Sequence, residues 1–229
     1  MTQLQHPYRD ITEAHAHEPG RSWFRSQWER LSAESFGAAF AGAGRRLGAE
    51  AVELDADERA QLLEARLSLP ESWALSTLGR AALLCGVCTL LDPAAQRALV
   101  VNQFKTGDNA EREAILKTLS LLPGPERFVE LAVDACRSHV QTVFEAIACE
   151  NTYPGRFFPE ANFNQLVLKA FFTGVPVRRI QLLNERRTPE LTRMALGYAS
   201  ERRAAGRSVP ADLDAVTLET PLDRSGGAN

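Results

Sequence analysis

The chain has 229 residues, 45% hydrophobic and 24% charged, with a formal net charge of -3, enough to bury a core without disulfides or metals. That balance excludes an electrostatic footprint for nucleic acid, and no polybasic cluster flanks an apolar span as a membrane-surface site would require. No stretch reaches the roughly 18 apolar residues of a transmembrane helix and the N-terminus does not read as a secretory signal, so a cytoplasmic setting with four reduced cysteines is expected.

Residues 1–20 are polar, with His6, His15 and His17 among Pro7, Glu13 and Pro19, and read as a loose tail. From Ser22 the pattern turns helical. Trp23, Phe24, Trp28 and Leu31, then Phe36 and Phe40, recur at helical spacing until Gly42, Gly44 and Gly48 end the element. A second helix starts near Asp55. A third, from about Glu71 to Leu91, is apolar nearly all round in its second half and so belongs in the interior. A fourth starts at Pro93 and stops at Gly107. Asp108-Asn109-Ala110-Glu111 has the shape of a capping box for a fifth, which Pro123-Gly124-Pro125 breaks. Two more follow, on Phe128 to Cys136 and Val140 to Ala148.

No segment alternates over a strand length, so no sheet is expected. Short amphipathic helices joined by Gly/Pro breaks predict an all-α fold of antiparallel helix pairs. The arrangement is either a HEAT-like helical-repeat array or, since no clean period stands out, an irregular helical bundle. The expected organisation is a tail over 1–20, one helical domain over 21–210 and a C-terminal tail over 211–229.

Two motifs have zinc-ligand spacing, Cys85-Gly86-Val87-Cys88 and Cys136-Arg137-Ser138-His139. The first sits inside an apolar helical run, where glycine and valine suit close packing. Buried thiols are therefore expected, with no metal and no cofactor.

The stretch Phe144 to Pro210 carries a dense series of motifs. In order they are Asn151-Thr152-Tyr153-Pro154, Phe163-Asn164-Gln165, Val167-Leu168-Lys169-Ala170, Arg179-Ile180, Asn184-Glu185-Arg186 and Glu201-Arg202-Arg203-Ala204-Ala205-Gly206-Arg207. In this order they resemble the signature of the EboA family, proteins of bacterial and algal secondary-metabolism gene clusters. The likeness is densest over the last third of the chain and looser through Gly107-Asp108, Glu111-Arg112 and Cys136-Arg137. It departs at Ser200, where the family has His, at Ser138-His139, where it has Asn, and in lacking a Trp after the last Pro-Glu-Leu. The resemblance implies a place beside the cyclitol-making, prenyltransferase-like and barrel enzymes of such clusters, in metabolite or precursor trafficking. It implies no reaction.

On the helix expected over Pro159 to Thr173, Phe163, Leu166, Val167 and Ala170 form a core stripe, and Leu168, Phe171 and Phe172 cover most of the rest. Asn162, Gln165 and Lys169 fall at i, i+3, i+7 with Asn164 adjoining, and polar groups on a buried helix need partners. One reading is a polar pocket facing the preceding helix and turn, with Glu145, Glu150, Asn151, Tyr153, Asn164, Gln165, Lys169 and Arg179 as ligand-binding residues. The other is that the amides only satisfy the Asn151–Phe158 loop while Lys169 reaches solvent. The pairs Arg178-Arg179, Arg186-Arg187 and Arg202-Arg203 make either a solvated face or an anion- or partner-docking surface. No phosphate loop, nucleophile elbow or Ser/His/Asp arrangement is present. The sequence therefore favours a non-catalytic binding or scaffold protein, recognising another protein of the same gene cluster or a small polar metabolite. The alternative is an enzyme acting on a cyclitol-like or phosphorylated head group through Glu145, Glu150 and Lys169.

Overall fold

A computed structural model of the protein describes residues 6–65 and 73–217. Among them are twelve α-helices and no strand, only an isolated bridge between Ala51 and Ala74. No helix among the described residues is long and apolar enough to cross a membrane. The chain divides into two compact units, Met1–Ile147 and Ala148–Asn229, where one domain over 21–210 was expected.

In the N-terminal unit the helices are α1 (Pro7–His15), α2 (Gly20–Glu29), α3 (Ala33–Leu47), α4 (Ala56–Glu64), α5 (Leu75–Thr89), α6 (Pro93–Thr106), α7 (Asn109–Thr118) and α8 (Val129–Ala135), with α9 (Gln141–Ala148) closing the run. Every residue of α5 from Leu78 to Cys88 is buried, as its apolar circumference demands. Helices α1, α2, α3 and α7 gather round it, so this unit is a bundle about one central helix and not a stack of consecutive pairs. Each leucine sealed this way contributes about 1.5–3 kcal/mol.

Several expectations are corrected here. Residues 7–15 are not tail but α1, which buries Tyr8, Ile11 and Thr12 at i, i+3, i+4. One narrow stripe suffices to seat a helix even in a polar segment. The His15 ring and Glu58 are joined at 2.9 Å. Residues 1–5 lie outside the described residues. Gly42 and Gly44 do not end α3 but lie within it, because a Cβ there would stand 2.9 Å from Trp23 and from Arg80 respectively. Asp108 caps α7 by accepting the Glu111 amide, but the Glu111 carboxylate does not return to complete a box; it accepts from Gln103 Nε2 at 3.0 Å.

Arg80 is the charged exception on α5, only 4% exposed. Its Nε donates to the Phe40 carbonyl at 3.0 Å and its guanidinium lies over the Phe40 ring. Burial lowers its pKa, opposed by Glu111, Asp108 and Glu113. Cys85 and Cys88 are buried thiols. Burial pushes the Cys88 thiol up to about 12 and that of Cys85 further, so neither is a ready nucleophile.

The C-terminal unit holds α10 (Tyr153–Phe157), α11 (Glu160–Thr173) and α12 (Pro189–Ala204), with 3-10 turns at Val177–Arg179 and Leu213–Ala215. The segment read as a turn from its Asn, Pro and Gly content is the short helix α10, since Pro154 fits a first helical turn. Phe163, Leu166, Val167 and Ala170 fill the core as their spacing predicts, but Phe172 is 77% exposed, so α11 is not buried all round. Helix α11 packs on α12, with Phe171 stacked on Tyr198. The expected tail is also structured as far as residue 217: Val216 is buried and its carbonyl accepts from Thr192. The remainder, 218–229, lies outside the described residues.

Candidate functional site

In the C-terminal unit the loop 180–187, between the 3-10 turn and α12, is held by several directional contacts. Its start is pinned by Glu150. That residue's amide donates to the Arg179 carbonyl at 2.9 Å, and its carboxylate accepts from Arg179 Nε and Nη2, both at 2.9 Å. A fork-to-carboxylate pair fixes orientation better than a point charge does. Glu150 itself has φ of 48°, a left-handed conformation that costs a non-glycine residue about 1–2 kcal/mol. Next along the chain, Asn151 is buried and its Oδ1 accepts the Tyr153 amide at 2.9 Å. Tyr153, fully buried, meets the rings of Phe157 and Phe158.

The middle of the loop rests against α10. A Cβ on Gly155 would lie 2.7 Å from Leu182 Cβ and 3.1 Å from the Gln181 carbonyl, so only glycine permits this approach. Leu182 turns the chain with φ of 61°. Arg186 then closes the loop from inside. Its Nη1 donates to the Gly155 carbonyl at 2.7 Å and its Nη2 to the Phe158 carbonyl at 2.8 Å, while the guanidinium lies 4.7 Å over the Phe163 ring. Carbonyls at a helix C-terminus lack intrahelical partners, and a fork of donors satisfies two together.

The other side of the same loop lines an open cleft of about 520 Å³, whose polar wall comprises Arg178, Gln181, Asn184, Glu185, Arg187 and Asp214. Arg178 and Asp214 are joined at 2.7 Å. Arg187 makes no hydrogen bond or ion pair among the described residues, and its Nε is buried without an acceptor. A second open cleft, of about 620 Å³, has apolar walls from Phe171, Phe172, Val175 and Val209.

The residues expected as a pocket are distributed differently. Glu150 and Arg179 come together, and Asn151 serves the Tyr153 amide. Asn164 is 2% exposed, its Oδ1 without a partner among the described residues. Gln165 is exposed and Lys169 half-buried. The i, i+3, i+7 stripe thus lies on the wetter face of α11, and Gln165 does not turn from solvent as expected; Asn164, one residue round, takes the buried face. Glu145, in the N-terminal unit, accepts from Gln141 Nε2 at 2.8 Å. Sequence reasoning marked the arginine pairs without telling which member of each was engaged, and it placed Asp214 in a tail. Among the described residues no three His, Cys, Asp or Glu side chains are grouped to hold a metal ion.

A family model described as metabolite traffic protein EboA matches residues 8–217. No curated protein and no solved structure matches the chain.

Proposed function

The chain belongs to the EboA family, and from that premise we propose that it is a non-catalytic binding protein of metabolite traffic whose C-terminal unit holds a small polar metabolite in the cleft beside loop 180–187. The observation that carries this reading is how the motif residues Arg179 and Arg186 are used, together with Glu150 and Gly155, which flank the first motif. Glu150, Gly155, Arg179 and Arg186 are all engaged in fixing one loop, whose outer side lines a polar cleft of about 520 Å³. Small-molecule sites occupy roughly 300–1,000 Å³ and rely on a few rigidly placed polar groups. A loop held by forked hydrogen bonds keeps such groups in place before the ligand arrives, so less ordering cost falls on binding. In this reading Glu150 and Arg179 position the loop, and Asn184 and Gln181 offer the hydrogen bonds a hydroxylated ligand needs.

The test is retention. Purified protein is mixed with a small-molecule extract of its host, washed, denatured, and the released compounds are identified by mass spectrometry. Wild type is expected to retain a hydrophilic compound unchanged after prolonged incubation. Asn184→Leu, with an unaltered melting temperature, should lose it. Identical retained sets for the two proteins, or chemical conversion of the compound by wild type, would remove this reading.

A further inference from the structure

The geometry points to Arg187 as the recognition residue for an oxyanion, a carboxylate or phosphate group carried by the ligand of this cleft; the inference rests on the binding role proposed above. The reasoning begins with what the arginines of the loop region do. Arg178 is paired with Asp214, Arg179 with Glu150, and Arg186 is engaged by two carbonyls. Arg187 alone of these four has neither an ion pair nor a hydrogen bond among the described residues, although its Nε is buried. A guanidinium presents its donors in a fixed fork that matches two oxygens of a carboxylate or phosphate. Arg187 lines the cleft with no intramolecular acceptor among the described residues competing for its guanidinium, which leaves the cleft-facing donors open to an oxyanion.

The surroundings select the partner. Arg187 lines the same cleft as Gln181 and Asn184, which add neutral donors and acceptors. Glu185 and Asp214 share the wall, but Asp214 is bound bidentately by Arg178 at 2.7 and 2.9 Å. An incoming oxyanion therefore meets one uncommitted cation, one neutralised acid and one competing carboxylate. Adjacent residues also divide the work: Arg186 faces inward to the α10 carbonyls and Arg187 faces the cleft. The ligand this arrangement takes is a small hydroxylated acid or its phosphorylated counterpart.

The test uses full-length protein titrated calorimetrically with inorganic phosphate in one arm and succinate in the other, at low ionic strength. Wild type should bind one of the two, and the better probe identifies the oxyanion. Arg187→Met should weaken that binding at least tenfold, and Arg187→Lys, which keeps the charge without Nε, several-fold. Arg156→Gln removes the same charge from an exposed position outside the cleft and should leave binding intact. Circular dichroism melts check folding of each variant. Failure of wild type to bind either probe, or equal losses in Arg187→Met and Arg156→Gln, overturns the inference. Repeating the extract-retention experiment with Arg187→Met separates the two levels of argument. If the retained compound persists in this variant, the oxyanion role is wrong while the binding role stands; if wild type retains nothing, the binding role falls by itself.

Discussion

Helix α5 and the loop 180–187 are both fixed firmly in place, by opposite means. In the N-terminal unit, α5 is enclosed on every side, and its position follows from non-directional burial of leucine, alanine, cysteine and valine. In the C-terminal unit, the loop has no regular structure and is set by a few directional contacts: one glycine approach, one carboxylate fork and one guanidinium bonded to two carbonyls. Burial tolerates exchange among apolar residues of similar volume. Directional contacts do not, because each has one geometry. The difference teaches where side chains are free for function. An enclosed helix presents no surface, whereas a loop pinned from inside presents its whole outer side to solvent.

The comparison can be broken by substitution. The largest effect is expected at Arg80, where α5 itself depends on a directional contact made by a buried charge. Arg80→Ala takes a charged donor from the Phe40 carbonyl and leaves a cavity where the buried side chain lay, and should cost about 3–4 kcal/mol. All three tryptophans, Trp23, Trp28 and Trp73, lie in this unit, so the denaturation midpoint read by tryptophan fluorescence reports it. A shift corresponding to less than about 1 kcal/mol would mean that Arg80 is not anchored as described. Arg186→Met comes next, at roughly 2–3 kcal/mol, since two helix-end carbonyls lose their charged donor. Circular dichroism melts should register it. An unchanged melt would show that the loop is held by other contacts.

Gly155→Ala should cost about 1–3 kcal/mol by overpacking against Leu182, and should also disturb the cleft, so a stable variant that retains ligand normally would contradict the close approach. The last effect is in pH. In the unfolded chain the thiols of Cys85 and Cys88 ionise at their ordinary 9.0 and Tyr8 at 10.0, while burial holds all three higher in the folded protein. From about pH 9 to about 12 the unfolded chain therefore binds fewer protons, and stability falls as pH rises. His6 acts on the acid side, its pKa lowered by desolvation, so protonation favours the unfolded chain as pH drops through 6.5. These groups all belong to the N-terminal unit. A tryptophan-detected midpoint that is flat between pH 8 and 11 would refute the alkaline arm.

The same contrast explains what could be read from the sequence. Helix α5 was legible because burial leaves a periodic apolar record, and Asp55 and Asp108, which mark two other helix starts, stand immediately before their helices. Helix α1 escaped notice because its buried stripe is only Tyr8, Ile11 and Thr12 amid polar residues. The glycines at 42 and 44 misled because a glycine that admits Trp23 or Arg80 looks, in one dimension, like a helix stop. In the C-terminal unit the motif residues were found but not their roles. Nothing in Arg186-Arg187 says which guanidinium turns inward, since that depends on a left-handed turn at Leu182 that the residue type does not announce. Likewise the amides of α11 read as one stripe, yet Asn164 and Gln165 lie on faces with opposite exposure.

The distribution of the four thiols has a practical consequence. Cys85, Cys88 and Cys149 are buried, and burial keeps the first two protonated well above neutral pH; Cys136, after α8, is partly exposed. Near pH 7 a maleimide should therefore attach to the native protein at one position without any engineered cysteine. A fluorophore or spin label placed there would mark the N-terminal unit and leave every residue that lines the cleft chemically unmodified.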